Sequence, residues 1–150
     1  MIEAEGNLWE IFKDNKTLRV IPTNGWYKTN GELVMGRGVA LQAKQRWKWL
    51  PKILGEKVKD EGNIVHIVED FSVASFPVKH SIVNENASLS LIERSAIRLY
   101  DLTINGPWDY VVLPMVGCGN GHLSWDVVKP VLEKYLTSSM YVIVKQTKEV

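Results

Sequence analysis

Tyr110-Val111-Val112-Leu113-Pro114-Met115-Val116-Gly117-Cys118-Gly119-Asn120-Gly121-His122-Leu123-Ser124-Trp125 decides the fold, because its character changes twice along its length. Tyr110 to Pro114 is the most strand-like segment of the chain, apolar and rich in β-branched residues. Val116 to Leu123 is a glycine-rich loop. Ser124 then offers an N-cap to a helix that carries Val128, Val131, Leu132 and Tyr135 on one face.

Working outward, the same strand, glycine loop and helix recur near the start. Leu18-Arg19-Val20-Ile21-Pro22 reads as a buried strand that stops at turn chemistry, and a long polar loop runs from Thr23 to about Gly36. From Gly38, the apolar residues Val39, Ala43 and Trp47 recur every four positions, which predicts an amphipathic helix ending near Pro51. Asn63–Val68 and Phe71–Val78 read as neighbouring strands joined through Glu69-Asp70. Leu89, Ile92, Ala96, Leu99 and Thr103 predict a further helix, with Ser90 and Glu93 in the form of a capping box. Met140–Val144 is a last strand before a polar tail, Gln146–Val150, expected to be loosely held. Strands alternating with helices imply an α/β fold whose sheet is covered on both faces, with ligands bound in loops at the carboxyl ends of strands.

The chain has 150 residues, 45% hydrophobic and 23% charged, with Gly 11 and Pro 6. That composition excludes a disordered, collagenous or coiled-coil chain, and at this length one core buries roughly 70% of the unfolded surface. A single domain, 1–150, is expected. Lys+Arg 18 against Asp+Glu 17 leaves a formal +1, so no global field draws the protein to nucleic acid or an acidic membrane. Any anion site must be local. One cysteine, Cys118, allows no internal disulfide, and an acidic N-terminus with no apolar run approaching the ~20 residues of a membrane span predicts a cytoplasmic protein.

Gly36 and Gly38 in one loop, and Gly117, Gly119 and Gly121 in the other, let backbone N–H groups converge on an anion at a helix N-terminus. Neither loop is a named nucleotide fingerprint: the Walker lysine and hydroxyl are missing, and G-x-G-x-G is not G-x-G-x-x-G. A single such loop is equally well explained as a tight turn; two in one small domain favour the anion.

Gly6-Asn7-Leu8, Pro22-Thr23-Asn24, Val34-Met35-Gly36-Arg37-Gly38-Val39-Ala40 and Leu113 to Trp125 together resemble a macro domain. The M-G-x-G-x-A and G-C-G-x-G-x-L-x-W runs resemble the branch that holds terminal ADP-ribose glutamate glycohydrolases and antitoxins that remove ADP-ribose from DNA. The resemblance implies a three-layer α/β/α sandwich with a mixed sheet and an ADP-ribose cleft. Asn7 would stand where the family commonly has an adenine-binding aspartate, beside Leu8; an amide oxygen accepts the same hydrogen bond without charge. Met35, Gly36, Arg37, Gly38 and Val39 of the first loop, and Gly117, Cys118, Gly119, Asn120, Gly121 and His122 of the second, would surround the diphosphate and distal ribose. Either Asn24 or Asn30 would be the ribose-side asparagine. The stretch Gly25–Thr29, with Trp26 and Tyr27, would lid the cleft.

Lys79, in Phe76-Pro77-Val78-Lys79, matches the F-P-x-K run of the DNA-acting branch, where a lysine at the anomeric carbon serves as nucleophile or fixed positive charge. Its plain alternative is an exposed lysine at a strand end. Glutamate-deconjugating members carry an acid where this chain has Gly121. The implied activity is hydrolysis of an ADP-ribosyl linkage on DNA or protein. Its rivals are an ADP-ribose 1″-phosphate phosphatase and a non-catalytic ADP-ribose-binding module; outside the family, a flavodoxin-like domain lacks its phosphate loop here. Cys118 reads as a packing residue. His66, His80 and His122 have no ligand spacing, so neither metal nor cofactor is expected. Lys44, Arg46 and Lys48, interleaved with Trp47 and Trp49, suit either nucleic acid or the solvated face of a helix.

Overall fold

In the computed structural model, which describes residues 1–81 and 86–147, the chain forms strands β1 (Ile2–Gly6), β2 (Thr17–Thr23), β3 (Ile67–Val68), β4 (Val73–Pro77), β5 (Tyr110–Leu113) and β6 (Tyr141–Gln146), with helices α1 (Gly38–Arg46), α2 (Leu50–Glu61), α3 (Leu89–Thr103) and α4 (Trp125–Tyr135). The strands make one six-stranded mixed sheet in the order β1-β6-β5-β2-β4-β3. All neighbours are parallel except β3 and β4, which are joined by a 3₁₀ turn at Glu69–Phe71 and pair antiparallel, Ile67 with Ala74 and Val68 with Val73.

Central parallel strands are apolar throughout because both of their faces are covered. On one face Leu18, Val20, Ala74, Phe76, Val111, Leu113, Tyr141 and Ile143 pack with Ile92, Ala96 and Leu99 of α3 and Val128 and Leu132 of α4. On the other face Ile21, Val73, Val112, Val142 and Val144 meet Ala43 of α1 and Leu50, Leu54 and Val58 of α2. Each fully buried aliphatic side chain contributes about 1.5–3 kcal/mol of transfer free energy, so the two cores hold an α/β/α sandwich with every central strand between helices.

Several elements differ from the sequence expectation. The first helix stops at Arg46 instead of running to Pro51. Trp47 leaves it as the C-cap and packs edge-on against Trp9, at 5.7 Å between centroids, and over Phe71 at 5.5 Å. Pro51 then lies in the first turn of an unforeseen helix, α2, where its missing N–H costs nothing. The unforeseen β1 is an edge strand, held by parallel pairing of Ile2–Gly6 with Val142–Gln146. The predicted strand does not extend over 63–66; β3 is only Ile67–Val68. The N-cap of α3 is Ser88, whose Oγ accepts from the Leu91 amide at 3.3 Å, so Ser90 lies inside the helix and the capping box is not formed. The strand β6 runs on through Gln146. The last three residues of the tail, 148–150, lie outside the described residues.

Candidate functional site

Because β2, β4 and β5 run in parallel, their carboxyl ends reach the same edge of the sheet, where they open a cleft of about 330 Å³. Its walls are Pro22, Thr23 and Asn24 after β2, Val78 and Lys79 after β4, and Pro114, Met115, Gly117, Gly119, Asn120 and Gly121 after β5. The start of α1, from Gly36 to Ala40, closes the remaining side with Val34. This volume is within the range of small-molecule sites.

The two glycine loops differ in how tightly they are built. A Cβ at Gly36 or Gly119 would meet nothing within 4 Å. At Gly121 it would run into the Gly117 carbonyl and stand 2.7 Å from Ala87 Cβ, so the acid that the glutamate-deconjugating enzymes carry has no room here. Gly117 lies at φ +76°, in the left-handed region that glycine tolerates, with Ile92 Cδ1 2.7 Å from where a side chain would begin.

Lys79 is 8% exposed, not the solvated strand-end lysine of the plain alternative. Its Nζ donates to the carbonyl of Asn120, in the second loop, at 3.1 Å. Arg37 is the other cation on the cleft wall, and no carboxylate lines it among the described residues. The first turn of α1 has no acidic residue, and no side chain caps it, so its leading amides are left without intrahelical acceptors at the cleft. Two cations, uncapped amides and no acid among the described residues make the site receptive to an anion.

Of the two candidate asparagines, the structure brings Asn24 to the cleft and leaves Asn30 outside it. Asn24 Nδ2 donates to Val34 O at 3.0 Å and its Oδ1 accepts from the Trp26 amide at 2.8 Å, which fixes the turn into the following loop. Asn30 is exposed and is engaged with Glu32, accepting from its amide at 3.0 Å and donating to its carboxylate at 2.6 Å. Gly36, Arg37, Gly38 and Val39 line the cleft, as do Gly117, Gly119, Asn120 and Gly121. Asn7, Leu8, Met35, Cys118 and His122 do not. Asn7 Oδ1 accepts from the Trp9 amide at 2.8 Å, while Leu8 and Met35 are core residues, 1% and 2% exposed. Cys118 Sγ faces the Val116 carbonyl at 3.5 Å, and burial pushes its thiol up, away from the thiolate a nucleophile needs. His122 is exposed, at φ +62°.

Pro22, Thr23, Val34, Ala40, Val78, Pro114 and Met115 also line the cleft; they stand in the motif runs but carried no expected role, and the rule that ligands sit at strand carboxyl ends was the further signal. In the basic run, Arg46 lies over the Trp9 ring at 4.7 Å and Lys48 near the Trp49 ring at 5.5 Å, so both cations are engaged within the chain. Among the described residues no cluster of His, Cys, Asp and Glu could hold a metal ion, and no helix is long and apolar enough to cross a membrane.

By sequence, no family model and no curated protein matches the chain. Solved structures do. The macrodomain of Mycobacterium tuberculosis DarG superposes with a TM-score of 0.76 at 23% identity, covering 99% of this chain and 97% of that one. The chain has the macrodomain fold. The macrodomain of Thermus aquaticus DarG matches at a TM-score of 0.71 and 24% identity over 99% of this chain and 97% of its own. Thermosipho africanus DarTG, solved in complex with ADP-ribose, matches at 0.76 and 19% identity; this macrodomain-fold chain is covered over 100% of its length but spans only 43% of that one.

Proposed function

We propose that the cleft binds ADP-ribose and that the protein hydrolyses an ADP-ribosyl linkage on DNA or protein. The observation that carries this reading is Lys79: a buried lysine, reaching the second glycine loop through Asn120 O, on the wall of a cleft where the other charged residue among those described, Arg37, is also positive. The diphosphate lies against the leading amides of α1 and near Arg37, where fixed dipoles need no reorganisation as charge develops. Lys79 then serves the anomeric centre, as nucleophile or as fixed charge, beside Asn24. That Thermosipho africanus DarTG, part of which this chain resembles in fold, was solved in complex with ADP-ribose supports the choice of ligand.

A second reading, a non-catalytic ADP-ribose-binding module, is favoured by one observation: the position of the second-loop acid is a glycine with no space for a side chain. Incubation with ADP-ribosylated DNA, ADP-ribosylated protein and ADP-ribose 1″-phosphate separates these outcomes. Release of ADP-ribose from either macromolecule supports the hydrolase, phosphate release from the third substrate marks the phosphatase, and binding without turnover selects the module. ADP-ribose at 100 times its Kd should stabilise the fold by about 2.7 kcal/mol. A melting temperature unmoved by millimolar ADP-ribose would remove both the hydrolase and the binder.

A further inference from the structure

Consecutive carbonyls at the end of β4 are each tied to a different part of the fold. Ser95 Oγ of α3 donates to Pro77 O at 2.7 Å, the Ser88 amide at the head of α3 donates to Val78 O at 2.8 Å, and Asn63 Nδ2 donates to Lys79 O at 3.0 Å. The first two are bonds between strand and helix within the same core. The third comes from a loop residue just past α2, on the other side of the sheet's edge.

Asn63 is an expensive choice for a tie of this kind. Its Oδ1 is buried and has no hydrogen-bond partner among the described residues, and an orphaned buried acceptor is a feature that stability alone selects against. Its carboxamide also lies hard against Gly25. A Cβ built at Gly25 would stand 2.8 Å from Asn63 Nδ2 and 2.9 Å from its Cγ, and would run into the His80 carbonyl. Gly25 directly follows Asn24 on the cleft wall. Asn63 is therefore wedged between the backbone that carries Lys79 and the backbone that carries Asn24.

We infer that Asn63 is a positioning residue for Lys79, setting where its Nζ lies relative to Asn24; for turnover this rests on the hydrolase reading above. The Lys79 carbonyl fixes the local backbone rotation, and the long side chain amplifies any change there at Nζ. Asn63 bonds to the Lys79 backbone but does not itself line the cleft, so its replacement removes no direct ligand contact.

The test is Asn63→Asp, which keeps the shape but cannot donate to the Lys79 carbonyl when ionised. Asn63→Leu removes donor and orphaned acceptor together and keeps the test open should the Asp variant fail to fold. The first readout is kcat and KM on whichever ADP-ribosylated substrate the wild type cleaves. A reacting group misplaced by about 1 Å loses up to about 100-fold, so kcat should fall by roughly 10- to 100-fold with KM little changed. The second readout needs no turnover: acylation of folded protein by acetic anhydride, with modification of Lys79 measured by peptide mass spectrometry relative to exposed Lys13. Loss of the tie should raise that ratio several-fold. A ratio unchanged in both variants overturns the inference whatever kcat does, and an unchanged kcat overturns the role in catalysis. If the wild type cleaves nothing, the hydrolase reading fails, while the acylation ratio still decides whether Asn63 holds Lys79 in place. A merely structural role would lower the melting temperature and leave the ratio as it was.

Discussion

The loop ahead of α1 leaves its helix uncapped, whereas the loop ahead of α4 supplies a cap and a first-turn acid. At α1 the N-cap position is Arg37, with no side-chain acceptor and no acid in the first turn. At α4 Ser124 Oγ accepts from the Asp126 amide at 3.3 Å and Asp126 itself opposes the helix dipole. Packing divides the loops the same way. Gly36 is open to solvent, while Gly117 and Gly121 are pressed against each other, Ala87 and Ile92. Similar glycine spacing thus serves two ends: an unsatisfied helix start that can take an anion, and a rigid wall that presents the Asn120 carbonyl to Lys79.

The largest expected effect is on chemistry. Lys79→Ala should lower turnover by about 10²–10⁴-fold, or about 3–5 kcal/mol of barrier, with ADP-ribose affinity nearly retained, since a group acting in the transition state is lost from kcat. Lys79→Arg keeps charge without a nucleophilic amine. Equal loss in both variants points to covalent attack and rescue by arginine to electrostatics, while wild-type rates in Lys79→Ala would remove Lys79 from the mechanism. Next comes the rigidity of the second loop. Gly121→Ala should destabilise the fold by about 1–3 kcal/mol in denaturant titration, and Gly36→Ala should stay within about 0.5 kcal/mol. Equal effects at both positions would break the contrast between wall and open loop.

How far this was legible in the sequence follows from which signals were local. The strand, glycine loop and helix units around Tyr110–Trp125 and Leu18–Gly38 carry their own punctuation, and they place the cleft. Pro51 misled because a proline before a polar run ends one helix as readily as it starts another; the four-residue spacing of Leu50, Leu54 and Val58 was the clue that α2 follows. Strand β1 has no apolar alternation strong enough to read, since its partner is Val142–Gln146 at the other end of the chain. At the site, motif resemblance pointed to the two loops that line the cleft but not to the direction of each side chain. Met35 sits between the cleft residues Val34 and Gly36 yet is buried in the core, and Leu8 is buried there too. Asn24 and Asn30 were indistinguishable by spacing, and only the turn that Asn24 makes with Trp26 puts it on the wall. Asn63 has no motif at all, because its importance lies in a bond to a residue distant in sequence.

A smaller effect concerns the space between the loops. Gly119→Glu places a carboxylate where a Cβ meets nothing, so the fold should melt as the wild type does. ADP-ribose should bind at least about tenfold more weakly, a loss of about 1.4 kcal/mol, because the new charge opposes the diphosphate. Isothermal titration decides it: unchanged affinity would mean that the diphosphate lies elsewhere, and an unfolded variant would mean that Gly119 is packed after all.

The smallest effect addresses the caps directly. Ser124→Ala should cost about 1 kcal/mol of stability through loss of the cap at α4, and leave ADP-ribose affinity unchanged because that helix start does not face the ligand. At α1 the relevant pair is Arg37→Ala and Arg37→Ser. Both remove the guanidinium, so any difference between them reports the hydroxyl alone. A serine there can accept from the second or third amide of α1, which should make Arg37→Ser more stable than Arg37→Ala by roughly 1 kcal/mol, a rise of about 2–4 °C in Tm. If those amides hold the diphosphate, the same hydroxyl competes with it. Arg37→Ser should then bind ADP-ribose more weakly than Arg37→Ala despite being the more stable protein. Stability and affinity moving in opposite directions at one position is the signature of an anion site made from an unfinished helix cap. Equal affinity in the two variants, with the expected gain in Tm, would show that the first turn of α1 is uncapped for some other reason and that Arg37 and Lys79 hold the diphosphate by charge.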